Sequence, residues 1–413
     1  MEIMSDSARK LKRELTEEIR RSLTLHNDKI GDEEAFDFIE RKVLEHERAA
    51  LFDAVQKNEL IMGIFYSIRK DLDILQPLAD DPEISEIMVN GKDDIFVERN
   101  GHIEKVPLSF DTTEDLEEVI RRVASGVRRE INELHPIVDA RLRDGSRVNG
   151  VYKNIALNGP IFTVRKFPEK AFTMKDLIAF GTLTQECAEY LRILVETGYN
   201  CFISGGTSSG KTTFLNVLTD YIPGNERVIV IEDSAELQIK NLKNVVRMEC
   251  RNANVQGKGQ ISMQQLIKTS LRMRPDRIIV GEVRGREVTD MLQAMNTGHD
   301  GSLSTGHGNS VAGMLRRLES MFLMAADLPM EAIRAQIAEG IDILIHLGRL
   351  PDRTRKVLAV AELTGIENGN IQTADLFTYS PGQGLKRTDR RLVNREKLML
   401  NRGRNNGHRL QEI

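Results

Sequence analysis

The sequence has 413 residues, with no tryptophan, only three cysteines and 5% aromatic residues, and its charges nearly cancel at −4. Without tryptophan, and with few other rings, the chain lacks the stacking platforms that accompany basic grooves in single-strand channels, and its net acidity argues against bulk coating of nucleic acid. Cys187, Cys201 and Cys250 are odd in number and form no CxxC pair. A disulfide framework or zinc knuckle is therefore not expected, and a reducing cytosol fits. No stretch approaches the ~20 apolar residues that span a bilayer. Met1 to Leu25 mixes acids and bases without the apolar core of a signal peptide. Membrane contact is expected to be peripheral. At ~150 residues per domain, the length suggests two or three domains.

What is present is concentrated in one stretch. Gly205-Gly206-Thr207-Ser208-Ser209-Gly210-Lys211-Thr212 satisfies G-x-x-x-x-G-K-[ST], and Thr213 follows at once. Asn200 to Ser204 reads as a buried strand and Thr212 to Leu218 as a helix, the setting that the phosphate loop requires. Glycines let the backbone N–H groups turn towards phosphates, and the helix N-terminus adds positive potential. Lys211 is expected to reach the β- and γ-phosphates of ATP, and the Thr212 hydroxyl to ligate Mg²⁺.

Upstream, Leu11, Leu15, Ile19 and Leu23 lie four apart, and Phe36, Ile39, Val43 and Leu44 recur at three to four, so residues 1–76 are expected to be helical, with a break from Asn27 to Asp32. Residues 77–166 read as a small α+β domain. Its strands are Ile84–Val89, Ile95–Glu98, Ile103–Val106, Ile137–Leu142, Ser146–Gly150 and Ile161–Arg165, around a capped helix from Thr112 to Glu130. Arg141, Arg147 and Arg165 sit in or beside these strands, and guanidinium forks suit developing phosphate charge. Residues 167–175 read as a linker and 176–381 as the phosphate-loop domain. From Gly382 to the end the chain is basic, with Lys386, Arg387, Arg390, Arg391, Arg402 and Arg404, and a solvated tail is expected.

Within the phosphate-loop domain, the apolar strand Arg227–Ile231 runs into Glu232-Asp233-Ser234-Ala235-Glu236, and a carboxylate at such a strand end faces the ligand crevice. A second apolar strand ends in Gly281-Glu282-Val283-Arg284, where Glu282 is placed to hold the Mg²⁺ hydration shell or orient water. Glu249 to Gln260 reads as a polar loop, and Val311–Glu339 as one helical stretch. Strands are expected at Ile341–Leu347 and Lys356–Ala361. Gly298 to Ser310 is dense in glycine and carries His299 and His307, open to reading as a metal pair, structural histidines or a γ-phosphate sensor.

Together, the phosphate loop, Glu232-Asp233 with Glu236, Gly281-Glu282-Val283-Arg284 and the segment from Gly298-His299 to His307 resemble the four boxes of the type II/type IV secretion ATPase superfamily. Ile84–Gly91, Asp139–Leu142, Asp144–Asn149 and Arg165-Lys166-Phe167 look like the branch that powers Tad (Flp) pilus assembly. The resemblance implies an α/β fold in which a RecA-like phosphate-loop domain follows a small PAS-like α+β domain and an N-terminal helical segment. It also implies a homo-hexameric, Mg²⁺-dependent ATPase on the cytoplasmic face of an envelope machine, working on an inner-membrane platform protein. By position Arg147 and Arg165, with Arg141 beside them, would close on the γ-phosphate, and His307 would be the His-box histidine. Glu232 and Glu282 both remain candidates to activate water. Gly306 and Gly308 replace the family's usual neighbours of that histidine, and a loosened loop is expected there. Rival readings are a nucleic-acid-translocating ring, a GTP switch, for which no Asn-Lys-x-Asp stretch exists, and a nucleotide-binding scaffold.

Overall fold

The structure, a computed structural model, describes residues 6–25, 30–127, 129–142, 144–167, 171–251, 253 and 257–400. The chain divides into two compact units, Met1–Glu169 and Lys170–Ile413.

The first unit holds two cores. Helices α1 (Asp6–Leu25), α2 (Asp32–Leu44) and α3 (Ala54–Arg69) bury Leu11, Leu15, Ile19, Ile39, Val43, Leu60 and Ile64 against one another. The four-residue spacing of Leu11, Leu15 and Ile19 puts them on one stripe, which is why the bundle closes. Residues 27–29 of the expected break lie outside the described residues, and Asp32 already opens α2. After a short α4 (Gln76–Asp80) come six strands: β1 (Ile84–Asn90), β2 (Ile95–Arg99), β3 (His102–Lys105), β4 (Ile137–Arg141), β5 (Arg147–Val151) and β6 (Ile161–Arg165). They form an antiparallel sheet in the order β3-β2-β1-β6-β5-β4. α5 (Thr113–Gly126) packs on it and is started by a capping box between Thr112 and Asp115. It ends at Gly126, short of the Glu130 expected from the sequence. Helix and sheet approach closely at Gly150, where a Cβ would come within 2.7 Å of Ile120.

The second unit is a nine-stranded sheet with helices on both faces. Its strands are β7 (Cys201–Gly205), β8 (Arg227–Glu232), β9 (Asn244–Glu249), β10 (Arg277–Val283), β11 (Leu303–His307), β12 (Ile343–Arg349), β13 (Arg355–Glu367), β14 (Asn370–Ser380) and β15 (Gly384–Arg387), in the order β15-β14-β13-β12-β7-β11-β10-β8-β9. The six from β12 to β9 run parallel, and the last three in sequence add an antiparallel wing. Alternate residues feed opposite cores. Cys201, Ile203, Val228 and Val230 face α6 (Met174–Ala179), α7 (Gln185–Glu196) and α8 (Lys211–Thr219). Phe202, Ile229 and Ile231 face α9 (Met263–Ser270), α10 (Val288–Asn296), α11 (Val311–Ala325) and α12 (Met330–Gly340). A strand covered on both faces is apolar over its central residues, as β7 is from Cys201 to Ile203 and β8 from Val228 to Ile231.

Four expectations are corrected here. The single helical stretch from Val311 to Glu339 is two helices, separated at Ala326 to Pro329, because proline cannot continue α11. Residues 244–248, not assigned to any element, and Glu249, expected to open the polar loop, form edge strand β9. His307 lies in a strand rather than a loosened loop: Gly306 is buried, and a Cβ there would sit 2.9 Å from the Phe202 ring and 3.0 Å from Met314, which already fill the space. Over its described part the basic tail is docked: β15 extends the sheet, Leu392 and Leu398 are buried in the core, and Lys397 pairs with Asp300 at 2.7 Å and Asp342 at 2.6 Å. Arg402 and Arg404 lie outside the described residues, as do residues 168–170 of the expected linker. Among the described residues no helix is long and apolar enough to cross a membrane.

Candidate active site

The parallel strands deliver the site residues to one edge. Gly205 closes β7, Glu232 closes β8, Glu282 is the second-last residue of β10, and His307 closes β11. In an open α/β sheet, ligands bind outside these carboxyl ends.

The phosphate loop joins β7 to α8. Ser208 and Gly210 take left-handed backbone angles, φ 58° and 92°, and the second of these launches α8 at Lys211. Ser209 Oγ ties the loop by donating to Gly206 O at 2.9 Å, and Gly205 has no room for a Cβ against Ser209 and the Leu347 carbonyl. Thr207 and Ser208 are exposed, while Gly206, Thr212 and Thr213 are half-buried. Lys211 is buried, and its Nζ folds back to donate to Gly205 O at 3.2 Å and Gly206 O at 3.0 Å. Burial lowers its pKa. An ammonium satisfied by neutral carbonyls is a cation held ready for an anion.

From Lys211 a charged array runs across the strand ends. Its Nζ lies 3.3 Å from His307 Nδ1, and His307 Nε2 lies 2.8 Å from Glu282 Oε1. The ammonium can only donate, so Nδ1 accepts and the ring proton sits on Nε2, although the alignment leaves the buried Glu282 Oε1 without a hydrogen bond. Burial and then Lys211 hold the His307 pKa below its ordinary value, which keeps the ring neutral at pH 7. Burial pushes Glu282 up, but its hydrogen bond from Arg284, with charge from Arg284, His307 and Lys211, brings it below the usual carboxylate range. Arg284 Nη2 donates to Glu282 Oε2 at 2.8 Å, and Nη1 lies 3.5 Å from Asp233 Oδ2.

Glu232 is held differently. It is 3% exposed, and its Oε1 accepts from the backbone N–H groups of Glu236 at 2.7 Å and Leu237 at 2.8 Å. Burial raises its pKa, only partly countered by those two bonds. The absence of a side chain at Gly281 now has a physical reason. A Cβ there would lie 3.1 Å from Glu232 Cγ, so the glycine leaves room for the Glu232 side chain from the neighbouring strand β8.

In the first unit, the three arginines fall into one cross-strand row. Arg141 pairs with Arg147, and Arg147 pairs with Arg165 in the β4-β5-β6 register. Directly opposed residues share a face with Cβ atoms ~5 Å apart, and like charges so placed repel. Arg141 is tied back, donating from Nε to Gly145 O at 3.0 Å and lying over the Phe167 ring at 5.5 Å.

The histidine pair is separated: His299 Nδ1 contacts Ala294 O at 3.1 Å, away from the array. Among the described residues no group of three metal-ligating side chains exists. The sequence reading gave no role to Arg284, to Arg317, whose charge reaches Lys211 and His307, or to Arg355, whose Nε donates to Ser208 O at 3.0 Å. Only Arg284 carried a signal, standing two positions after Glu282, just past the end of β10.

Residues 69–383 match the family described as "Type II/IV secretion system protein". The chain is 44% identical over 260 residues to an uncharacterized protein of Methanocaldococcus jannaschii, covering 61% of this chain and 36% of that one. It is 33% identical over 298 residues to the conjugal transfer protein TrbB of Rhizobium radiobacter, covering 71% of this chain and 88% of that one. The Legionella pneumophila ATPase DotB has a similar fold, with TM-score 0.51 and 21% identity over 69% of this chain and 78% of that chain.

Proposed function

The chain belongs to the type II/IV secretion system protein family and is an ATPase, and from that premise we propose that it is the Mg²⁺-dependent motor subunit of a secretion or Tad-type pilus-assembly machine. The observation that carries this reading is the Lys211 amine, buried, folded onto its own loop and linked through His307 to Glu282.

Lys211 and the loop N–H groups bind the β- and γ-phosphates of ATP. Thr212, on the first turn of α8, and Glu282, with its lowered pKa, suit a metal held mainly by phosphates and water. Magnesium, when bound with the nucleotide, neutralises charge between the β- and γ-phosphates. Water is oriented for in-line attack by Glu232 or Glu282. The raised pKa of Glu232 suits proton acceptance, and the fixed orientation of Glu282 suits positioning. Arg147 and Arg165, with Arg141, offset the charge of the terminal phosphate, and their mutual repulsion in one row is relieved by an anion.

Hydrolysis then frees the small domain, and in a homo-hexameric ring that motion does work on an inner-membrane platform protein, with the motor attached peripherally on the cytoplasmic side. Phosphate release measured against protein concentration, alongside solution mass, tests this. Activity that rises with assembly and vanishes in Lys211→Ala supports it; full activity as a monomer contradicts the ring.

A further inference from the structure

We infer that Arg284 is a positioning residue for ATP hydrolysis: it clamps Glu282 and Asp233, from the ends of two different strands, into one fixed arrangement beside the phosphate loop. This rests on the ATPase reading of the same site and goes beyond it, by assigning the guanidinium a task in turnover.

The geometry leaves Glu282 little freedom. Its Oε1 faces His307 Nε2 at 2.8 Å, and its Oε2 accepts from Arg284 Nη2 at 2.8 Å. Oε1 is buried and accepts no hydrogen bond, so the bond from Arg284 to Oε2 is the one that orients the carboxylate among the described residues. Arg284 Nη1 reaches the Asp233 carboxylate at 3.5 Å. The planar fork can serve two carboxylates at once in a way that a point charge cannot.

Arg284 is itself fixed from behind. Its backbone N–H and that of Gly285 both donate to Glu287 Oε1, at 2.6 and 2.8 Å. Glu287 is also the residue that caps α10, so the turn following β10 is anchored to a helix. The guanidinium therefore leaves a rigid base, although more than half of the side chain is exposed to solvent. Glu282, Asp233, Arg284 and Glu287 line one small polar cleft of about 200 Å³ with Ser262 and Arg251. Three carboxylates in a cleft of that size repel one another, and Arg284 stands between two of them.

A merely structural arginine and a positioning arginine predict different kinetics. Arg284→Gln is expected to lower kcat by about tenfold to a hundredfold, because an acid displaced by about an ångström loses that much, while KM for ATP and the affinity for a fluorescent ADP analogue stay within about twofold. Arg284→Lys keeps the charge but not the fork and is expected to recover part of kcat. In an Asp233→Asn background the further loss caused by Arg284→Gln should shrink, since one arm of the clamp is already gone. Unchanged kcat in Arg284→Gln, a matching loss of ADP binding, or fully additive losses in the double variant would each overturn the inference. Lys211→Ala in the same assay checks the underlying reading separately: its turnover must vanish, and if it does not, both fall together.

Discussion

The two edges of the second unit's sheet use the same chemistry to opposite ends. At the carboxyl edge Lys211 holds only carbonyls and a neutral histidine, and a partly exposed Arg284 bridges two acids. At the amino edge, Arg277 is 2% exposed and grips Glu226 as well as the carbonyls of Val195 and Gly301, while Lys397 is clamped between Asp300 and Asp342. A cation whose acids are already in place braces the fold. A cation left on neutral acceptors is available to a ligand. Burial alone does not tell the two apart, since Lys211 and Arg277 are both buried; the charge of the partners does.

That contrast can be broken at either edge. The largest effect is expected from Lys211→Ala, which should abolish turnover, a loss of at least about two to three orders of magnitude, while moving the unfolding free energy by no more than about 1 kcal/mol. Steady-state phosphate release and denaturant titration on the same sample measure both. Arg277→Ala should do the reverse. Removing one member of the buried Arg277–Glu226 pair should cost about 3–5 kcal/mol, or lower the melting point by about 6–20 °C, with ADP affinity retained below the transition. Calorimetry with and without ADP checks it.

A smaller change follows from the docked tail. Lys397→Ala strips the cation from Asp342, which is buried and accepts from the Asn200 N–H at 2.7 Å, and should cost about 1–3 kcal/mol. Thermal melts compared with Lys386→Ala, a solvent-side control, isolate the effect. The smallest concerns pH. His307 has a pKa held below its unfolded value, so the folded state binds fewer protons there; its contribution is fully present above about pH 6.5 and is lost as pH falls through the lowered value. Acidification from pH 7.5 to 5.5 should therefore destabilise the wild type slightly more than His307→Asn, as read by paired denaturant titrations.

How legible each edge was follows from the distance over which its contacts are made. The phosphate loop is one contiguous motif whose glycines and lysine serve the same few ångströms, and Glu232 and Glu282 end strands that are almost wholly apolar, so all could be read locally. β11 could not. Its Leu-Ser-Thr-Gly-His run is too polar and small to read as a central strand, and its burial comes from its place between β7 and β10, with Phe202 and Met314 close over Gly306. β9 is an edge strand whose residues are nowhere fully buried, so its pattern is weak. The tail misled for the opposite reason: its basic composition describes solvent-facing residues, while docking depends on Leu392, Leu398 and Lys397, whose partners Asp300 and Asp342 are remote in sequence. The row formed by Arg141, Arg147 and Arg165 needed strand register, which no single segment encodes.

The most direct test is a crystal structure of the protein with magnesium and a non-hydrolysable ATP analogue. Lys211 Nζ is predicted to leave the Gly205 and Gly206 carbonyls and His307 for the terminal phosphates, while the Arg277–Glu226 pair and the Lys397 clamp stay where they are. An analogue bound away from the loop at 205–212, or a Lys211 still folded on its own carbonyls beneath a bound triphosphate, would contradict the account.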